Sequence, residues 1–387
     1  MTFKTTIILA FLTLHLSTYG QKIDCFIGDS LLRQQNYMLA AEKYTSCYLS
    51  DTLDKKVMVS LANCYMQLGD YTLAKKYYHQ LDVDSLYKIE SISKLAIIYE
   101  SQQNLPKAIK YYLAISKVYP ENPIYLRKLG NLYLQGREPK QALESYLKAN
   151  QINPRDLLTI QGLTEFYLNS NDLGKADSLA TNGIKIDSNN VGLLLLKSRI
   201  RYRARDFRTT AEILHKLTYQ TELNNFYNKL LGYSFMQIDS LDKAIYHLQK
   251  SLLDENDPEY ALFYLALAHE KKKEYSKAEW FLKEAAIAGI SDNMSQYHRG
   301  LARIYTHQQA LSKVIEHYQK SLEYQADPEV YFFMGNTTEQ MSKRKKKAIQ
   351  YYQQYLNSGH KNDEWRRIST ARIKVLKENE FMNKTKK

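Results

Sequence analysis

A small residue recurs at a fixed interval along this chain, and that interval leaves few folds open. Stepping by 34 residues from Ala40 reaches Ala74, Ala108, Ala142, Ala176, Thr210, Ala244 and Ala278; after two extra residues the series resumes at Val314 and Ala348. Four places beyond each landmark stand Tyr44, Tyr78, Tyr112, Tyr146, Ala180, Leu214, Leu248, Leu282, Tyr318 and Tyr352. Twelve places before most of them the residue is again small: Gly28, Ala62, Ala96, Gly130, Ser198, Gly232, Ala266 and Ala302. A period of roughly 20–50 residues marks an array of supersecondary units, each unable to bury its apolar face alone.

Within each unit the apolar and small residues recur at three- and four-residue spacings, which places them on one face of a helix. The small positions let paired helices approach closely, and Tyr and Leu fill the space beside them. Most of the 33 tyrosines are thereby assigned to packing. Proline supplies an independent check, because it is tolerated at helix starts and between helices but not in helix interiors. With units starting near residues 21, 55, 89, 123, 157, 191, 225, 259, 295 and 329, Pro106 and Pro139 fall at the turn into a second helix. Pro120, Pro154, Pro258 and Pro328 fall between units, and Pro123 opens one. Residues 363–387, with Trp365, Ile368, Ala371, Val375 and Leu376 on one stripe, read as a capping helix and a basic tail.

This spacing, together with segments such as Leu129-Gly130-Asn131-Leu132-Tyr133, resembles the tetratricopeptide repeat family over about residues 21–362. The resemblance implies an all-α, right-handed superhelical solenoid of about ten helix-turn-helix repeats, a non-catalytic role and no cofactor. The sixth unit departs most, with Lys197, Arg201 and Thr210 where Leu, Tyr and Ala are expected. In this family the first helices line a concave surface that holds peptide or protein partners. Carried over, that surface includes Arg127, Asn131, Arg199, Tyr202, Arg203 and Tyr233. It continues with Met236, Tyr260, Phe263, Arg299, Arg303 and His307. Arg127 and Asn131 match the first half of the family's carboxylate clamp, but Glu165 stands where its second half needs Asn.

Signatures of catalysis are absent: the chain has no Walker-type glycine loop, no Gly-x-Ser-x-Gly and no His-Glu-x-x-His. Ser91-Ile92-Ser93-Lys94 and Ser291-Asp292-Asn293 imitate two penicillin-binding-type signatures, yet the third, Lys-Thr-Gly, is missing. His298, His307 and His317 share a unit, but their spacing puts no close pair on one helix face, so no metal site is expected. Of the three cysteines, Cys47 and Cys64 fall on facing helices, which makes a Cys47–Cys64 bridge the disulfide candidate beside a reading of all three as buried thiols. Five Asp-Ser/Thr-Leu runs, at 29, 51, 84, 177 and 239, are similar to a bacterial O-glycosylation acceptor motif. The same residues also favour helix starts and turns.

Charge is distributed unevenly. Of a formal net charge of +13, residues 341–387 carry most, with fourteen Lys/Arg against four Asp/Glu, so the repeats themselves are close to neutral. A basic patch of Lys343, Arg344, Lys345, Lys346, Lys347, Arg366 and Arg367 suits anionic lipid, an envelope polymer or an acidic partner. At the other end, Lys4, the apolar run Ile7 to Leu16 and the small Thr18 and Gly20 read as a signal peptide over residues 1–20, with cleavage before Gln21. Export to a periplasm is the expectation, which disfavours nucleic acid as a partner. A scaffold for envelope proteins is the leading reading, and binding of anionic lipid or polymer the alternative.

Overall fold

The computed structural model describes residues 24–50, 54–81, 86–253, 258–289, 293–341 and 344–385. The signal-peptide segment, Lys343 and the Asp-Thr-Leu run at 51 lie outside these. All the described regular structure is helical, in twenty-one helices. Helices α1 (24–33), α2 (Tyr37–Ser50), α3 (Lys55–Gln67), α4 (Tyr71–Leu81), α5 (Lys88–Ser101) and α6 (Leu105–Val118) form the first three antiparallel pairs. Then come α7 (Pro123–Gln135) with α8 (Pro139–Ile152), and α9 (Leu157–Asn169) with α10 (Leu173–Ile186). They are followed by α11 (Val191–Arg203), α12 (Phe207–Leu217), α13 (Asn225–Gln237), α14 (Leu241–Ser251), α15 (Glu259–Lys271) and α16 (Tyr275–Ala288). The last pairs are α17 (Met294–His307) with α18 (Leu311–Tyr324), and α19 (Pro328–Glu339) with α20 (Lys345–Asn357), before the terminal α21 (Asp363–Thr385). Two compact units divide the chain, Met1–Leu193 and Leu194–Lys387. No described helix is long and apolar enough to cross a membrane.

The turn inside each of the first nine pairs is built the same way. Nine residues with positive φ recur in step: Gln35, Gly69, Gln103, Arg137, Asn171, Arg205, Asp239, Lys273 and Gln309. Around each, the first helix closes by paired backbone bonds, as when the amide of Arg137 donates to Leu134 O (3.1 Å) and that of Glu138 to Tyr133 O (2.8 Å). This is the Schellman arrangement, which satisfies carbonyls that the helix end leaves unpaired. The next residue often starts the second helix too. Asp70, Asn104, Asp172 and Asp206 each accept a hydrogen bond from a backbone N–H of that helix's first turn. Proline obeys the same boundaries, at the first or second position of α6, α7, α8 and α19.

Packing follows from the two small positions. All ten landmark residues, from Ala40 to Ala348, are 0% exposed. The opposing small residue receives the ring or branch from the second helix. A Cβ added at Gly130 would lie 2.7 Å from the Tyr146 ring, and one at Gly232 2.7 Å from Leu248 Cγ. In the first four pairs the buried tyrosine also keeps its hydroxyl satisfied on the first helix. Tyr44 donates to Asp29 (2.6 Å), Tyr78 to Asn63 (2.6 Å), Tyr112 to Glu100 (2.5 Å) and Tyr146 to Asn131 (2.5 Å). In the sixth pair Thr210 is as buried as the alanines, and its hydroxyl donates to Asp206 O at 2.8 Å. The core therefore accepts this departure from the pattern with its polar group paired. At the C-terminal end Trp365 of α21 stacks on Phe332 of α19, centroids 4.8 Å apart and planes 3° from parallel.

The cysteines are paired differently from the sequence expectation. Cys25 of α1 is bonded to Cys47 of α2, with Cα atoms 5.7 Å apart, and Cys64 of α3 remains a buried thiol. The Cys47–Cys64 bridge is thus corrected: the antiparallel first pair brings positions 25 and 47 face to face, while Cys64 joins the apolar core with Leu61 and Ala62. Burial pushes the Cys64 thiol up to about 11.

Candidate functional site

The side chains that sequence reasoning placed on the concave face divide into two chemical groups. The cations are tied into the repeats themselves. In the first unit Arg127 of α7 pairs with Asp156 at 3.3 Å, and Asp156 is also the N-cap of α9. In the second unit Arg299 of α17 pairs with Asp327, the N-cap of α19. One arginine thereby joins its own first helix to the start of the next one. Arg303 forms a two-pronged bond to Glu270 of α15, at 3.0 and 3.1 Å, the planar fork geometry that guanidinium and carboxylate favour. Asn131 accepts the Tyr146 hydroxyl. Both residues of the half-clamp are therefore engaged inside the protein.

The aromatic members form a continuous set within the second unit. Tyr202 of α11 meets Tyr233 of α13 at 5.7 Å, and Phe207 lies 5.7 and 5.5 Å from these two rings. Tyr233 in turn meets Tyr264 of α15 at 4.5 Å, with Tyr260 and Phe263 beside Tyr264 at 6.4 and 6.0 Å. Phe263 reaches Tyr297 of α17 at 5.0 Å. Burial and the neighbouring Tyr233 and Tyr260 phenols push the Tyr264 phenol up to about 12, and burial raises that of Tyr202 as well. Both hydroxyls therefore stay protonated and able to donate at any physiological pH. Tyr260 is 42% exposed, and Phe226, at the start of α13, is 48% exposed.

Some assignments change. Met236 is 2% exposed and belongs to the core; its carbonyl accepts from Lys271. His307 stacks on Tyr275, centroids 4.6 Å apart. Arg199 is half-buried and Arg203 exposed, both on α11. Tyr264, Phe207 and Tyr297 were not read as site residues. The available signal was the run Tyr260, Phe263 and Tyr264, spaced i, i+3 and i+4, which puts three rings on one helix face.

The basic end is partly used for structure. Arg366 donates to Leu356 O (3.0 Å) and His360 O (3.4 Å) and so closes the end of α20. Lys346 lies 3.5 Å from Glu380, and Lys347 sits over the Tyr351 ring. Arg344 and Arg367 are exposed, and Lys345 is half-buried. Among the described residues no three His, Cys, Asp or Glu side chains come together to hold a metal ion.

The stacked helical pairs define an α-solenoid. A tetratricopeptide repeat pattern matches residues 93–156, and a second matches residues 56–81. Those residues are therefore tetratricopeptide repeats, and helical pairs of the same build continue along the described chain. Similar solved structures include a tetratricopeptide repeat protein from Parabacteroides merdae, at 13% identity and TM-score 0.47, over 61% of this chain and 94% of that one. Another is YrrB, a repeat protein with an unusual peptide-binding site, at 14% identity and TM-score 0.43, over 48% and 94%. MamA from Desulfovibrio magneticus is similar at 14% identity and TM-score 0.40, over 43% and 94%. Among curated proteins, none matches the chain.

Proposed function

We propose that the chain is a non-catalytic scaffold of the cell envelope that holds a protein partner against the aromatic first-helix face of its second unit. The supporting observation is the ring set running from Tyr202 through Tyr233 and Tyr264 to Phe263, with Tyr260 exposed at its edge. Rigid aromatic side chains give large contact area at low entropic cost, and they dominate the energetics of binding surfaces. Arg299 and Arg303 are held in ion pairs, so the face is suited to an extended segment presenting apolar and aromatic side chains more than to a C-terminal carboxylate. Placing a photo-crosslinking residue at Tyr260 or Phe226 in cells should trap one protein in stoichiometric yield, and Tyr202→Ala should reduce that yield. Equal cross-linking of that protein from the opposite face, for example at Trp280, would remove the proposal.

A second reading rests on exposed Arg344 and Arg367, for which no carboxylate partner occurs among the described residues. Here the basic end contacts anionic lipid or envelope polymer. Replacing Arg344 to Lys347 with Gln should then weaken sedimentation with anionic vesicles at low salt, and unchanged sedimentation would discard this reading.

A further inference from the structure

The outward positions of the second helices are polar in several pairs and apolar in two. On α6, α8 and α18, two exposed places seven residues apart, and so on one helix face, hold Lys110 and Lys117, Glu144 and Gln151, and Glu316 and Glu323. The same places of α16 hold Trp280 and Ile287, and those of α14 hold Tyr246 and, just past its end, Leu253. Tyr219 stands just past α12, and all five of these apolar side chains are more than half exposed. Between α12 and α14 opens a cavity of about 300 Å³, walled by Tyr219 and Tyr246 beside His215, His247 and Lys250. The Nδ1–H of His247 is held by Asn228 at 3.0 Å, which makes Nε2 the acceptor that this imidazole offers.

We propose that this face binds a second copy of the chain, with Trp280 of each copy seated in the α12–α14 cavity of the other. A projecting ring and a cavity of side-chain size stand on one face of the second unit. A single two-fold axis therefore satisfies both at once, the self-complementary arrangement of an isologous dimer. Tyr219, Tyr246 and Trp280 are side chains of roughly 150–250 Å² each, and with Leu253 and Ile287 they expose on the order of 600 Å². That is enough for the core of an interface of standard size, about 800 Å² per partner. An aromatic anchor in a pocket is the usual centre of such a contact, and the indole N–H donates to His247 Nε2.

The apolar strip is two helices wide. Exposed Glu212 on α12 and Glu316 and Glu323 on α18 rim it on either side. A polar rim around an apolar centre suits a protein partner. It opposes an anionic bilayer, which would lie against all four helices at once.

The test is sedimentation velocity of the chain as isolated from cells, over a range of concentrations. A monomer–dimer equilibrium without larger species is expected, and Trp280→Ala and Tyr246→Glu should each raise its dissociation constant at least about tenfold. Both side chains are mostly exposed, so helical circular dichroism and the thermal midpoint of the monomer should stay unchanged. Tyr260→Ala, on the first-helix face, should leave the dimer intact, which separates this contact from the one that holds the partner protein. In a Trp365→Phe variant Trp280 is the sole tryptophan, and its emission should move to the blue as the dimer forms. A monomer at tens of micromolar, a dimer indifferent to Trp280→Ala, or growth into an open series of oligomers overturns the proposal. So does Trp280 emission that stays fixed across the transition.

Discussion

The ring of Tyr146 is gripped by two glycines, one on its own partner helix and one on the next repeat's first helix. A Cβ would meet that ring at 2.7 Å from Gly130 and at 2.6 Å from Gly162. Gly162→Ala should therefore overpack the first unit and destabilise it by about 1–3 kcal/mol, read as a lower urea midpoint. Tyr146→Phe leaves the ring in place and removes only its bond to Asn131, so a loss of about 1 kcal/mol is expected. His247 supplies the pH dependence at this scale. Asn228 is oriented by donating to Leu223 O (2.7 Å), which turns its Oδ1 toward the Nδ1–H of His247 at 3.0 Å. Burial, with His215 and Lys250 nearby, lowers His247 from 6.5 to about 4. The folded pKa lies below the unfolded one, so between these values the unfolded chain binds more protons and stability rises with pH. The second unit should lose stability as pH falls from about 6.5 toward 4, and His247→Gln should flatten that slope in urea titrations.

At the scale of elements, the staple between α1 and α2 and the cap at α21 hold opposite ends of the array. Under denaturing, non-reducing conditions the described cysteines should yield one reactive thiol, Cys64, which reacts slowly in the native protein because it is buried. Three reactive thiols would rule out the Cys25–Cys47 bond. Trp365→Ala removes the stack on Phe332 and should loosen α19 and α20 by about 2–4 kcal/mol, seen as faster amide exchange there. The helical pairs were legible in the sequence because each demands a residue small enough for close approach, and nothing larger than Val meets that demand at the landmark positions. Other features left no linear trace. Nothing marks Cys25 rather than Cys64 as the partner of Cys47, since facing positions depend on where each helix begins. Likewise, His298 and His317 meet, Nδ1 to Nδ1 at 3.0 Å, only across two helices. The arginines of the first helices were recognisable by type, but their capture by Asp327 and Glu270 depends on the offset between successive repeats.

For the molecule as a whole, a repeat array is held by contacts between neighbours, so damage should stay local. Trp365→Ala should leave exchange protection of α3 to α8 unchanged; a uniform loss would mean that the array unfolds as a single block. The in-step turns have a further consequence. Eight of the nine positive-φ residues are not glycine, and they include Arg137, Arg205 and Lys273, side chains that disfavour this backbone. Substituting glycine at such a position, as the chain already has at Gly69, should add about 1 kcal/mol. The protein thus carries unspent tolerance at its hairpin tips, from which heat resistance can be raised, or harmful mutations compensated, without altering the aromatic face.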